Sequence, residues 1–201
     1  FEQTLDDIEY LFIDDCTPDK SIEILKNVLE EYPHRKHQVI IHRMEKNSGQ
    51  AAVRKWGMLN ATGDYVIHCD SDDWVDVTMY EKMYNKAIEE GSDVVICGYN
   101  ITNGNKIIKS ELTNDYTFNT LCRNILVGRT SGALWNKLVN RNQIDRIVFP
   151  KGNMGEDMTI ILQCLYFSKR INIVSLPLYS YFVNEDSITN IQTEEGIIYK
   201  F

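Results

Sequence analysis

Three observations predict an α/β fold, a doubly wound sheet with helices on both faces. Short apolar runs alternate with longer stretches of helical periodicity through the first half, giving the order β-α-β-α-β-α-β. The 201 residues, 43% hydrophobic and 25% charged, have the usage of an ordinary soluble domain with one sizeable core. Two of the apolar runs end in carboxylates, Asp14-Asp15 and Asp70, Asp72, Asp73. In open α/β sheets, ligands gather beyond the carboxyl ends of the strands.

The elements follow in order. IEYLFI, residues 8 to 13, is an apolar run suited to a strand, and DDCTPDKS after it supplies turn and helix-start residues. Apolar spacing through Ile22, Leu25, Val28 and Leu29 predicts a helix that ends before Pro33. HQVIIHR reads as the second strand, and NSGQAAVRKWGMLNATG as a loop, a helix and a stop at Gly63. DYVIHC is the third strand, DVTMYEKMYNKAIEEG a helix capped by Gly91, and SDVVICGY the fourth strand. After residue 98 the rhythm changes. Asn103-Gly104 between β-like runs signals a hairpin. A short helix near 117–127, the aromatic-bearing GALWNKLVNR, the loop FPKGNMGED, a helix in MTIILQCLYF and two final strands, INIVSL and LYSYFV, complete the chain. Residues 1–98 are thus an α/β half and residues 99–201 an α+β half of the same domain, extending one sheet.

Composition excludes several function classes. A net charge of -8 and a pI near 5.0 argue against coating nucleic acid, because no basic stripe dominates any segment. An anionic ligand remains compatible with this charge if a metal intervenes. Cys16, Cys69, Cys97, Cys122 and Cys164 are widely spaced with no C-x-x-C pair, and read as reduced core thiols of a cytosolic protein. His34, His37, His42 and His68 lack metal-ligand spacing, and His68 reads as structural. There is no apolar run of 18 residues, so no membrane span is expected, and no signal peptide is read.

The segment HCDSDDW poses the chemical question. Two unit charges about 4 Å apart repel by roughly 1 kcal/mol in water and about 4 kcal/mol at a protein surface, so a positive group is wanted. If the backbone stays extended, Asp70 and Asp72 point to one side and can hold a divalent cation, Mg²⁺ or Mn²⁺, which favours carboxylates, waters and ligand phosphates. A structural explanation competes: Asp72, Asp73 or Asp76 can cap the helix that begins near Val77, and Asp14 and Asp15 can form an Asx-turn or cap for the 20–32 helix. The recurrence of both clusters at strand ends favours a site.

Four blocks resemble family 2 glycosyltransferases of the GT-A fold, bacterial polysaccharide-type. IEYLFIDDCTPDKS is similar to their "E-hydrophobic-V-D-D-G-S-x-D-x-S" segment, and NSGQAAVRKWGMLNATGDYVIHCDSDDW to the block that ends in "D-x-D-D". WNKLVNR resembles "W-x-K-L-hydrophobic-x-R", and GEDMTIILQCLY their acceptor-side "G-E-D" helix. A lone D-x-D is weak evidence; four blocks in order are specific.

The resemblance implies roles by position. Asp15, with Asp14 beside it, would hydrogen-bond the uracil or ribose of a nucleotide sugar. Asp70 and Asp72 would be the D-x-D pair, with Asp72 the direct ligand of Mn²⁺ or Mg²⁺ and Asp70 nearer the ribose or donor sugar. Arg54 would reach base or phosphate, its bland alternative being a solvated helix face beside Lys55, and Asn47 and Gly49 would shape the loop at the base. Asp157 would be the general base of an inverting transfer, with Glu156 orienting the site or replacing it; the alternative is that both acids merely open the 156–167 helix. Trp135 either stacks on a sugar or fills core, while Trp56 and Trp74 read as packing residues.

The sequence departs from the family pattern twice. The family's first strand, ending in "P-x-Y-N", is expected before residue 1 and is not in this sequence, so a truncated or partly disordered donor site is expected. Asn184 and Glu185 stand where the family often has His or Arg. The expectation is a cytoplasmic enzyme moving a sugar from a UDP-sugar or other nucleoside diphosphate sugar to a glycan or lipid-linked acceptor, a setting compatible with peripheral association at the inner face of the membrane. The alternatives are a nucleotidyltransferase and a non-catalytic sugar-nucleotide-binding module.

Overall fold

The computed structural model describes residues 1–103, 107–109 and 117–183. Strand β1 (Tyr10–Asp14) leads through helix α1 (Ser21–Glu30) and a 3-10 turn (Pro33–Gln38) to β2 (Val39–Arg43), which pairs with it in parallel. Helix α2 (Gln50–Asn60) follows, then two-residue strands β3 (Tyr65–Val66) and β4 (Trp74–Val75), helix α3 (Met79–Glu90) and the long β5 (Val94–Thr102). The rest comprises β6 (Ile107–Lys109), α4 (Phe118–Leu126), β7 (Lys137–Asn140), a second 3-10 turn (Arg141–Arg146), α5 (Glu156–Phe167) and β8 (Ile171–Phe182).

Strand β5 organises the larger sheet, whose order is β3-β7-β5-β8-β4 with β6 on the far end of β5. It runs antiparallel to β7 and parallel to β8. Alternate residues of β5 feed two separate cores, as the two-residue period of a strand requires. Val94 and Ile96 pack with Leu121 and Ile125 of α4 and Ile160, Ile161, Cys164 and Leu165 of α5. Val95 and Cys97 pack with Met79, Met83 and Ala87 of α3, and with Trp135, Leu178 and Tyr179. Helices therefore cover both faces, which is why β5 reads as an unbroken apolar run.

The element order holds, with four corrections. The β1–β2 pair forms its own two-stranded sheet among the described residues, so the expected mixed sheet is divided rather than continuous. The third expected strand shrinks to Tyr65–Val66, because its partner β7 meets only that stretch. The two final strands are one, carried through Pro177 by irregular register at Gly98. A Cβ on Gly98 would lie 3.0 Å from the Leu176 carbonyl oxygen, so a side chain there would press on the backbone of the bulge. Strands β7 and β4 were not expected at all: β7 begins with a lysine and β4 has two residues. The Asn103-Gly104 hairpin does pair β5 with β6, while Gly104 itself lies outside the described residues.

An unforeseen buried arginine ties down the first residues. Arg35 donates to the carbonyls of Phe1, Gln3, Leu5 and Asp6, and Gln3 and Thr4 in turn bond the carbonyls of Asp76 and Val77.

Candidate active site

The β1 strand ends in two acids whose oxygens are already engaged. Buried Asp14 accepts from the Thr17 amide (2.7 Å) and from Arg43 Nη1 (2.5 Å). That is the Asx-turn alternative, with a charge partner added. Asp15 accepts from the amides of Ser48 and Gly49, both at 2.8 Å. Between these acids and the helix, Cys16 has a left-handed backbone, φ 62°, and its thiol donates to the Met44 carbonyl.

The start of α2 is gripped from both halves of the chain. Gly49 has φ 80° and leaves no room for a Cβ, which would fall 2.3 Å from Asn153 Nδ2. Asn153, from the loop before α5, accepts from the Ala51 amide at 3.0 Å. Two of the amides a helix start leaves unpaired are thus satisfied by side chains from distant segments. Asn47 is exposed beside this joint and makes no side-chain hydrogen bond among the described residues.

One turn along α2, Arg54 stands in the centre of the site, 6% exposed. Its Nε lies 2.8 Å from Asp157 Oδ1 and 3.4 Å from Glu156 Oε1, and its Nη2 lies 3.3 Å from Asp70 Oδ1. The solvated helix face considered for Arg54 is therefore not found. Gln50, four residues earlier on the same face, donates to Glu156 Oε1 and accepts from Arg54 Nη2 once its amide is oriented to suit them. The Arg54–Asp157 contact is an ion pair without hydrogen-bond angles, for Nε and Oδ1 are both buried without a hydrogen-bond partner. One cation faces three carboxylates, and the electrostatics follow. Burial pushes the Asp157 carboxyl up to about 6; Arg54 opposes this, and Glu156 and Asp70 add to it. Burial also raises Asp70, again against the pull of Arg54. Burial, with Arg54 nearby, lowers His68 to about 3, so the imidazole is neutral.

The acids after β3 divide their work. The extended backbone expected at 70–72 is instead a turn, closed by the Asp73 amide on the Asp70 carbonyl. Asp73 accepts from the Tyr179 hydroxyl (2.6 Å) and the Phe182 amide (2.7 Å), fastening the turn to β8. The same hydroxyl accepts from the Asp70 amide at 3.2 Å. Asp76 binds the amide and hydroxyl of Thr78 ahead of α3, which is the helix-start role considered for it. Asp72 is exposed and makes no hydrogen bond among the described residues.

Glu156 and Asp157 do open α5, where acids suit the helix dipole. They also meet Arg54, so the two explanations coincide. Asp157 Oδ2 receives the Leu134 amide at 3.4 Å. Trp135 is core, stacked on Tyr179 at 4.3 Å, and Trp56 packs on His42 at 3.8 Å. Trp74, expected to pack, is 49% exposed. Of the five cysteines, all unpaired, Cys97 and Cys164 are core residues and Cys69 is exposed. Asn184 and Glu185 lie outside the described residues.

No group of three or more His, Cys, Asp or Glu is assembled for a metal among the described residues. The set expected from the sequence, Asp70 and Asp72, is two carboxylates, of which Asp70 faces Arg54 and Asp72 is exposed. Two carboxylates suffice only for an ion that keeps waters and takes phosphate oxygens from a ligand. Gln50, Asn153 and Tyr179 were missed by sequence reasoning. Only Gln50 had a signal, its four-residue spacing from Arg54.

Residues 1–145 match the family described as Glycosyl transferase family 2. The chain is 31% identical to the cholesterol galactosyltransferase of Borreliella burgdorferi over 94% of its own length and 55% of that protein. Among solved structures it resembles S. aureus TarS 1-349 in complex with UDP-GlcNAc, with a TM-score of 0.73, 21% identity, and coverage of 92% of this chain and 53% of that one. It also resembles the Pyrobaculum calidifontis mannosyltransferase PcManGT in complex with GDP-Man and Mn²⁺, with a TM-score of 0.66, 14% identity, and coverage of 94% and 52%. These likenesses show the GT-A fold. The chain spans about half the length of these relatives, and no described helix is long and apolar enough to cross a membrane.

Proposed function

The chain belongs to glycosyl transferase family 2, and from that premise we propose that it is a metal-dependent, inverting glycosyltransferase. In this reading it moves a hexosyl or N-acetylhexosaminyl group from a UDP-sugar to a hydroxyl of a glycan or lipid-linked acceptor, in polysaccharide or lipid-linked glycan synthesis at the cytoplasmic face of the membrane. Residues 1–98 are the donor half and residues 99–201 the acceptor half.

Buried Arg54 carries the reading. It brings Asp70 of the D-S-D segment and Asp157 of the G-E-D segment onto one guanidinium, so the acids needed for donor binding and for proton abstraction share a site. Asp157, ionised above about pH 6, takes the proton from the acceptor hydroxyl as that oxygen attacks the anomeric carbon. A new glycosidic C–O bond forms on the face opposite the diphosphate, and the old anomeric C–O bond breaks with its electron pair leaving on UDP. Glu156 orients Arg54. Asp72 and Asp70 would hold Mn²⁺ or Mg²⁺, which when bound supplies Lewis-acid stabilisation of the departing diphosphate. Asp14, Asp15, Asn47 and Gly49 shape the nucleotide end. The Asp15 carboxylate oxygens each keep a lone pair beyond the loop amides for a uracil N–H or a ribose hydroxyl.

The test is UDP release from a panel of UDP-sugars with Mn²⁺, for the protein and for Asp157→Asn. Release by the wild type, with a loss of roughly 10²- to 10⁴-fold in the variant and UDP binding retained, is expected. Absence of release from every UDP-, GDP- and dTDP-sugar would overturn the proposal.

A further inference from the structure

Lys137, the first residue of β7, is 1% exposed, and its ammonium meets no carboxylate within ion-pair distance among the described residues. Its three N–H donors go to the Ser131 carbonyl (2.9 Å), the Ala133 carbonyl (2.7 Å) and Asn136 Oδ1 (2.7 Å). A buried cation without an ion-pair partner is costly, and an apolar side chain of similar shape would avoid that cost. Burial accordingly lowers the Lys137 pKa to about 7, against the pull of Cys97 and Asp157, and what the side chain holds in return is the backbone around it.

What it does follows from peptide geometry. Among the described residues no peptide bond is cis, so the Ala133–Leu134 peptide is a planar trans unit whose C=O and N–H point in opposite directions. Its oxygen is held by Lys137, and its N–H is aimed at Asp157 Oδ2. Fixing one end fixes the other. The next residue, Trp135, stacks on Tyr179, whose hydroxyl receives the Asp70 amide and donates to Asp73. Asn136 anchors the arrangement to the central strand, donating to the Cys97 carbonyl (2.8 Å) and receiving the Cys97 amide on its own carbonyl (3.0 Å). One segment thus touches both acidic ends of the site.

We propose that Lys137 is a positioning residue: its ammonium clamps residues 131–136 against β5 so that this segment sets the placement of Asp157 relative to the Asp70–Asp73 turn. The assignment of Asp157 and Asp70 to sugar transfer rests on the reading above; the clamp rests on geometry alone. Residue-resolved amide hydrogen exchange on the wild type, Lys137→Met and Lys137→Gln tests it without any sugar donor. In Lys137→Met, exchange at Leu134 and Asp70 rises about tenfold or more, while the amides of β1 and β2 keep their rates. Lys137→Gln, which retains two N–H donors, recovers part of the protection and stands in for Lys137→Met should that variant not fold. Turnover of the responsive UDP-sugar falls in kcat, and donor KM rises as the Asp70–Asp73 turn loosens. Leu134 and Asp70 as protected in the variants as in the wild type, or a uniform rise at every amide, would overturn the clamp. Failure of the wild type to release UDP from any donor would instead sink the transfer reading, and the exchange result would still decide the clamp.

Discussion

The turn after β1 and the turn after β3 both end apolar strands in carboxylates, and helix α2 touches both, yet their acids meet different ends. Asp14 and Asp15 are closed in by Thr17, Arg43, Ser48 and Gly49. After β3, only Asp73 and Asp76 are absorbed by the fold. Asp70 shares one arginine with Glu156 and Asp157, and Asp72 faces solvent. Carboxylates whose lone pairs are filled by backbone amides shape a loop, whereas carboxylates left short of cations can take one. The first turn is scaffold; the second is where charge is left unbalanced.

Substitutions can break this contrast, beginning with the largest expected effect. Asp157→Asn lowers sugar transfer by roughly 10²- to 10⁴-fold. Because burial holds this carboxyl near 6 and the base must be ionised, the wild-type rate rises with pH through about 6; the residual rate of Asp157→Asn loses that limb. A pH–rate profile of both proteins checks it. Asp73→Ala removes two hydrogen bonds to a charged, half-buried group and costs about 2–4 kcal/mol in urea denaturation. Asp72→Ala, one residue away, changes stability by no more than about 0.5 kcal/mol. Equal costs for these two neighbours would erase the division of labour. Asp15→Ala uncaps two amides at the start of α2 and costs about 1–2 kcal/mol, measured the same way. Smallest, Cys16→Gly relieves the left-handed backbone at φ 62° but gives up the thiol bond to Met44 and loosens the unfolded chain, so stability changes by no more than about 0.5 kcal/mol in the same denaturation.

The sequence made the first half legible because its periodicities are local. β1, α1, β2, α2, α3 and β5 fall where apolar spacing and the stops at Pro33 and Gly91 put them. β7 escaped because a strand that starts with a buried lysine has no apolar signature, and β4 because two residues have no period. Both owe their existence to the neighbours that pair with them. The candidate site divides in the same way. Arg54, Asp70, Glu156 and Asp157 were each singled out, but their convergence is a tertiary fact. Sequence placed Arg54 toward base or phosphate with a solvated face as the alternative; burial among three acids was visible in neither. Asn153 and Tyr179 act through an amide cap and a hydroxyl relay that no spacing announces.

The most direct measurement is isothermal titration of UDP into the protein with and without Mn²⁺, repeated on Asp72→Ala. Binding that requires Mn²⁺ and is lost in Asp72→Ala, with unchanged thermal stability, is the expected result. UDP binding of equal affinity in the variant, or no binding of UDP under any condition, would contradict the assignment of the second acidic turn as the donor site.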